Sequence, residues 1–207
     1  MALAGDAISG LQHFVNKRRC FPGAWRYFNA WSRAELPGRT PPLSPFVLLG
    51  VAGSLLETKC EEGAALVLLM FHCLLRTGEG LGVCTNHVTW TRAGLRGGLS
   101  LPLTKSGQRS GAPESVAFHD ALVGSLLFAQ VEKLPHGARL WRGTAAQFRD
   151  AWRFHLRRVH VDPEVFKPYA LRRGGATAHL VEHNSLSATQ YRGRWGCMGS
   201  KQRRHNK

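Results

Sequence analysis

Acidic side chains are scarce in this sequence. Only 13 Asp and Glu stand against 28 Lys and Arg, which gives a net charge of +15 at pH 7. An excess of this size favours a polyanionic partner, and nucleic acid is the commonest of these. An anionic membrane surface is the rival partner, but no basic amphipathic helix stands out in the sequence. The charge therefore predicts an interaction with nucleic acid.

Cysteine is also sparse, and long apolar runs are missing. The five cysteines are widely spaced and include no C-x-x-C pair, so neither a disulfide framework nor a cysteine zinc site is indicated. The opening MALAGDAISGLQHF lacks the features of a signal peptide, and the most apolar run, residues 64–75, is too short to span a bilayer. We therefore expect an intracellular protein, nuclear if its source is eukaryotic, with no membrane partner.

Hydrophobic periodicity predicts a mainly helical protein. Ser44 and Pro45 are typical of a helix start, as N-cap and first helical residue. Helices are predicted over residues 6–15, 22–34, 45–57, 61–75, 119–133, 144–160 and 168–183, and short strands over 87–90, 99–103 and 115–119. The predicted class is α+β, mainly α with a small three-stranded antiparallel sheet.

The segment PGRTPPLSP, residues 37–45, is the clearest linker. It carries four prolines in nine residues, which disfavour helix and favour an extended path. Residues 1–36 are too few for a full domain and are predicted to be the helical remnant of one. Residues 46–207 form the predicted main domain, with an atypical basic C-terminus.

Four basic features follow one another along the main domain. Arg76 lies in LLRTGE, and Lys105 lies in the turn region between the last two predicted strands. The third feature is YALRR, which contains Tyr169 and Arg172, and the fourth is RGRW, which ends at Trp195. The GGA that follows YALRR predicts a helix that packs closely on its neighbours.

In this order, the four features resemble the catalytic domain of the tyrosine recombinase (phage integrase) family, and integrases of eukaryotic mobile elements in particular. The resemblance covers roughly residues 40–200. It implies that Arg76 and Arg172 clamp the scissile phosphate, because an arginine fork makes paired charge-assisted hydrogen bonds. Tyr169 and Trp195 would add weaker hydrogen bonds, and Lys105 would protonate the leaving oxygen.

The resemblance carries further expectations about partners. Residues 1–36 would be the last helices of a core-binding domain, and Arg173, Arg192 and Arg194 would contact DNA. The implied function is DNA binding for DNA recombination and DNA integration, on double-stranded DNA and as a homo-oligomer. Family members need no metal and no small-molecule cofactor, so none is expected here.

The family's nucleophilic tyrosine is missing from its expected place. It lies about nine residues beyond the His/Trp position, where this sequence has Arg204, and no tyrosine follows Tyr191. The sequence therefore predicts a recombinase-like protein with impaired strand cleavage. The alternative is a non-catalytic DNA-binding remnant of a mobile element. The basic ending from Gly199 onward is predicted to be disordered or loosely packed.

One competing motif is HLVEH, in which His179, Glu182 and His183 match the H-x-x-E-H pattern of inverted zinc proteases. Such sites need a third protein ligand, commonly a carboxylate further along the chain, but no Asp or Glu follows Glu182. A zinc-dependent hydrolase is therefore the weaker alternative, and a partly exposed helix face is the preferred interpretation of the two histidines.

Overall fold

The computed structural model describes residues 2–15, 21–34, 40–91, 96–102, 104 and 113–195. The chain divides into two compact units, Met1–Arg39 and Thr40–Lys207. The first unit contains helices α1 (Ala2–Val15) and α2 (Pro22–Ala34). Within α2, the rings of Trp25 and Phe28 meet edge to face with centroids 5.7 Å apart. This contact accounts for part of the aromatic spacing in that helix.

The second unit is mainly helical. Its elements in chain order are α3 (Pro45–Glu57), α4 (Glu61–His72), α5 (Thr77–Leu81), a 3₁₀ turn (Thr85–His87), β1 (Val88–Trp90), β2 (Gly97–Leu101), β3 (Glu114–Phe118), α6 (Ala121–Lys133), α7 (Ala145–Arg158), α8 (Tyr169–His183) and α9 (Leu186–Arg192). The predicted class, mainly α with a small three-stranded antiparallel sheet, is confirmed. The short helices α5 and α9 were not predicted, because each is too brief to show a helical period.

Polar side chains cap the start of several helices in the second unit. The Ser44 hydroxyl accepts a hydrogen bond from the Val47 N–H, with Pro45 at the first helical position as predicted. Asp120 caps α6 through the Val123 N–H in the same way. Each cap satisfies one of the N–H groups that a helix start leaves without a backbone partner.

Helix α4 lies at the centre of the second unit. Every residue from Gly63 to Phe71 is buried, as expected for a helix that is apolar on all sides. The helix stops three residues before its predicted end. Leu74 has a φ of +50°, and the N–H groups of Leu74 and Leu75 donate back to the carbonyls of Phe71 and Met70. This is a Schellman-type ending, with leucine where glycine is usual.

The sheet has the order β1-β2-β3, and both pairs are antiparallel. Val88 pairs with Leu99, which in turn pairs with Val116, and all three are buried. Strand β2 begins two residues earlier than predicted, because the first two positions of the ladder are glycines that carry no hydrophobic signal. The sheet thus turns its apolar face towards the core.

Helix α8 packs very closely on α4, as the GGA sequence predicted. A Cβ atom on Gly175 would lie 2.0 Å from the Phe71 carbonyl oxygen, and one on Gly174 would lie 2.1 Å from that of Leu43. Leu43 is itself buried, and its N–H donates to the Ala170 carbonyl. The second compact unit therefore starts inside the segment 37–45, and the predicted boundaries of linker and domains stay predictions. None of the helices in the described parts of the chain combines the length and apolar character needed to cross a bilayer.

Candidate functional site

The end of α4 is a meeting point for arginine side chains. Its last carbonyl groups have no partner within the helix, and guanidinium groups from remote parts of the chain supply one. The hydrogen bonds run from Arg192 Nε to the His72 oxygen (2.9 Å), from Arg194 Nη1 to the Cys73 oxygen (3.3 Å), and from Arg172 Nη1 and Arg194 Nη2 to the Leu74 oxygen (2.6 and 3.4 Å). Positive charge is favourable there, because a helix C-terminus carries partial negative charge.

Arg172 is the most deeply buried of these arginines, with 1% of its surface exposed. Its second terminal nitrogen, Nη2, donates to the Gly193 carbonyl at 2.6 Å, whereas its Nε has no hydrogen-bond partner. Burial, together with the positive charges of Arg76 and Arg194, lowers the pKa of Arg172 to about 10, although Glu79 opposes this shift. A buried cation with a free donor and like-charged neighbours is poised to attract an anion.

Glu79 is the carboxylate that holds the arginines together. Its oxygens accept from the Arg76 side chain (2.5 Å), the Arg76 backbone N–H (2.8 Å) and Arg194 Nη2 (2.6 Å), with Arg172 Nη1 at 3.5 Å. Burial alone would raise the pKa of Glu79, but the Arg76 N–H, the charge of Arg194 and the Arg76 side chain outweigh burial and lower it. Glu79 is therefore ionised at neutral pH.

Arg194 completes the arginine cluster, which we define as Arg76, Arg172 and Arg194. It has a φ of +56°, a conformation unfavourable for a residue with a Cβ, and only 6% of its side chain is exposed. Its Nε lies 3.2 Å from Glu114 Oε2, without hydrogen-bond geometry. The cluster thus holds three guanidinium groups against two carboxylates, which leaves one positive charge in excess.

The structure brings several of the predicted site residues to this cluster. Arg76 and Arg172 share Glu79, and the Trp195 ring centroid lies 5.3 Å from the Arg172 guanidinium carbon. Tyr169, half exposed at the start of α8, is near enough to Arg172 to influence its pKa. Lys105 and the ending from Gly199 lie outside the described residues.

The three arginines expected to contact DNA have protein partners. Arg173 Nη1 donates to the Thr40 carbonyl at 2.8 Å, while Arg192 and Arg194 bind the carbonyls at the end of α4. Sequence reasoning could not anticipate this, because backbone acceptors are common to all residues. It also assigned no role to Glu79, although the glutamate of LLRTGE was part of the motif, or to Glu114.

The motif HLVEH lies at a second place, on the far half of α8. His179 and His183 line a pocket of about 300 Å³ together with His72, His119, Asp120, Glu182 and Arg192. Burial lowers the pKa of His72, and Arg192 adds to this effect, although Asp120 and Glu182 oppose it. Across the described parts of the chain, no three His, Cys, Asp or Glu side chains are gathered closely enough to hold a metal ion together.

Solved structures of a recombinase share this fold. The XerH site-specific recombinase bound to difH substrate, in a pre-cleavage complex, superposes with a TM-score of 0.62 at 14% identity, over 79% of this chain and 49% of that one. The post-cleavage complex with palindromic difH gives 0.61 at 13% identity, over 78% and 48%. The chain thus spans about half the length of these proteins. No family model and no curated protein matches it. The likeness confirms the predicted tyrosine recombinase-like fold.

Proposed function

We propose that this protein binds duplex DNA as a tyrosine recombinase-like protein of DNA recombination and DNA integration. In this proposal, the arginine cluster takes one phosphate of the DNA backbone. The net charge of +15 supports a DNA partner, and so does the fold shared with a recombinase that was solved with its difH substrate.

One observation carries the proposal: Arg76, Arg172 and Arg194 converge from three distant segments on a site with too few carboxylates. Glu79 and Glu114 leave one positive charge uncompensated, and the buried Nε of Arg172 has no partner. A phosphate would supply both the missing charge and an acceptor, and arginine suits phosphate because its planar fork matches two oxygens.

The two clamping arginines would act differently. The side chain of Arg76 is one-third exposed and its guanidinium makes a single ion pair, so it can turn its remaining donors to a phosphate. Arg172 has both terminal nitrogens on backbone carbonyls, and its buried Nε has no partner. In our proposal, Arg76 makes the main contact and Arg172 supports it from below. Tyr169, Trp195 and Lys105 keep the roles that the family resemblance implies.

We propose further that strand cleavage is impaired in this chain. Arg204 stands where the family carries its nucleophile, and Tyr191, exposed on α9, precedes Trp195 rather than following it. The second candidate function is a DNA-binding remnant of a mobile element without catalysis. A nuclear site of action and assembly as a homo-oligomer on DNA belong to both candidates.

A matched pair of variants tests phosphate binding by the cluster. Arg76→Ala removes a cluster donor, whereas Arg153→Ala removes an equal charge from α7, where Arg153 pairs with Asp150. Fluorescence anisotropy with duplex DNA between 50 and 200 mM salt would measure the affinity and its salt slope. For Arg76→Ala we expect an affinity loss of about 10- to 150-fold, since charge-assisted hydrogen bonds contribute about 1.5–3 kcal/mol. The salt slope should become smaller by about 0.9.

For Arg153→Ala we expect a smaller loss and an unchanged slope. Circular dichroism of both variants would show that each is folded. Equal effects of the two substitutions would mean that the arginine cluster contributes no more to DNA binding than other surface charges do. The lack of any DNA binding by the parent protein at 50 mM salt would refute the proposed function.

A further inference from the structure

The motif HLVEH plays no part in the proposed phosphate site, yet its histidines have a defined environment. His179 and His183 are four residues apart on α8 and line the same pocket. Their rings are stacked, with centroids 4.1 Å apart and planes within 8° of parallel. Residues at this spacing lie on one helix face, so both rings present their edges to the same side of α8.

Hydrogen bonds define which ring nitrogens carry the protons. The Thr189 hydroxyl donates to the Ser185 carbonyl at 2.9 Å, so it can only accept from His179 Nδ1, which lies 2.9 Å away. His183 Nδ1 lies 3.1 Å from the His179 carbonyl oxygen, and this oxygen can only accept. In their neutral forms both imidazoles therefore hold a proton on Nδ1.

This tautomer leaves the Nε2 atom of each ring with a lone pair. Among the described residues, no hydrogen bond uses either Nε2 atom. An Nδ1–H bond to a carbonyl or hydroxyl is also the contact that typically orients a metal-binding imidazole and increases its basicity. Both histidines thus have an Nε2 atom available to bind an ion.

The electrostatics of the pocket favour a cation. With its histidines neutral, the lining carries the negative charges of Asp120 and Glu182 and the single positive charge of Arg192. Zinc–imidazole bonds of about 2.0–2.1 Å in a tetrahedral site place two nitrogens about 3.3 Å apart. The ring centroids are 4.1 Å apart and the ring planes are nearly parallel, and since a metal bond lies in the plane of its imidazole, the two rings must tilt towards each other to share an ion.

We propose that His179 and His183 form a two-histidine binding site for a divalent transition-metal ion such as Zn²⁺. Water fills the other coordination positions, because no third side chain in the described part of the chain stands close enough to share the ion. Imidazole nitrogen is a ligand of choice for ions of this class. The site is distinct from the arginine cluster and implies metal binding without zinc-dependent hydrolysis.

Isothermal titration of the full chain with ZnCl₂ tests this site. The side chain of His183 is about half exposed, so His183→Ala should fold normally. His136→Ala, at an exposed histidine outside the pocket, is the matched control. We expect one ion per parent chain and at least a tenfold weaker affinity in His183→Ala, since even the loss of an outer-shell partner costs about 10–100-fold.

The control should bind zinc as the parent does. Unchanged affinity in His183→Ala, or no saturable binding by the parent up to about 1 mM zinc, would overturn the proposal. Thermal unfolding gives a second readout, because an ion bound only by the folded state raises Tm. That increase should be present in the parent and in His136→Ala and lost in His183→Ala and in His179→Ala.

Discussion

At the scale of single residues, the arginines of this protein serve both structure and charge. Arg172 ties the end of α4 to Gly193 through two short hydrogen bonds, and Arg194 joins the same helix end to Glu79. Removing either would leave carbonyls without partners as well as an unbalanced carboxylate. A loss of function in such a variant would therefore not distinguish a defect in phosphate binding from a defect in folding. Glu79, the carboxylate between these arginines, is the better residue to substitute.

Glu79→Gln keeps the shape of the side chain but removes its charge. Because Glu79 is buried and faces three guanidinium groups, we expect a loss of stability of about 3 kcal/mol, or roughly 6–12 °C in Tm. Sodium sulfate should raise the Tm of this variant more than that of the parent, since a bound anion would replace the lost negative charge. Sodium chloride of equal ionic strength is the control, and equal gains in both proteins would count against an anion site.

The pH dependence of this difference has a defined sign. The pKa of Glu79 is lowered from its ordinary value of 4.5, so its stabilisation is present above about pH 4.5 and disappears as the pH falls through the lower folded value. The gap in Tm between parent and Glu79→Gln should therefore narrow below about pH 4.5. A gap that stays constant to pH 3 would contradict the ion-pair explanation.

At the scale of elements, the packing of α8 on α4 sets the site. This close approach brings Arg172, one turn into α8, to the carbonyls at the end of α4. Helices α3 and α7 are joined at another place by the buried hydrogen bond between Ser54 Oγ and His155 Nδ1, 2.9 Å long. Because the close approach of α8 to α4 depends on Gly174 and Gly175, this glycine pair determines the site as much as the arginines beside it do.

Two glycine-to-alanine substitutions should have opposite effects on stability. Gly175→Ala places a Cβ atom 2.0 Å from a backbone oxygen that cannot move aside easily, so we expect a loss of at least 1–3 kcal/mol, as is typical of overpacking. Gly53→Ala lies in the interior of α3 with nothing within 4 Å of the new atom, and should gain up to about 1 kcal/mol. Urea unfolding would measure both, and a neutral Gly175→Ala would refute the close helix contact.

At the scale of the whole molecule, association with DNA through net charge and cleavage of a DNA strand are separate properties. The net charge of +15 favours association with DNA at low salt, whichever residues touch the backbone. Strand cleavage would need a nucleophile in addition to a phosphate site. We propose that this chain has a phosphate site but lacks the nucleophile.

We therefore expect no covalent protein–DNA adduct from the chain as it stands. Purified protein would be incubated with a nicked suicide duplex and separated on a denaturing gel, with a cleavage-competent tyrosine recombinase on its own substrate as the positive control. A shifted band that maps to Tyr169 or Tyr191 would show that this chain supplies a nucleophile by another route. Reversible binding with no shifted band would agree with the proposal.

The sequence was sufficient for the class of the fold and for most of its long elements. Buried and exposed positions alternate with the helical period, and caps such as Ser44 are local in sequence, so α3 and its start were predictable. The motifs LLRTGE, YALRR and RGRW also singled out Arg76, Arg172 and Trp195, which the structure brings together. Helix α4 was predicted three residues too long, since a leucine such as Leu74 gives no sequence signal for the left-handed conformation that ends the helix.

Only the tertiary structure decided what each of these side chains binds. The acceptors of Arg172, Arg192 and Arg194 are backbone carbonyls about 20 to 120 positions away, and a carbonyl has no signature in the sequence. The role of Glu79 likewise depends on three arginines that converge on it through folding. The proton position of His179 depends on Thr189, a residue of the separate helix α9. The sequence specifies the residue types, whereas hydrogen-bond partners and local charge balance depend on which distant segments the fold brings together.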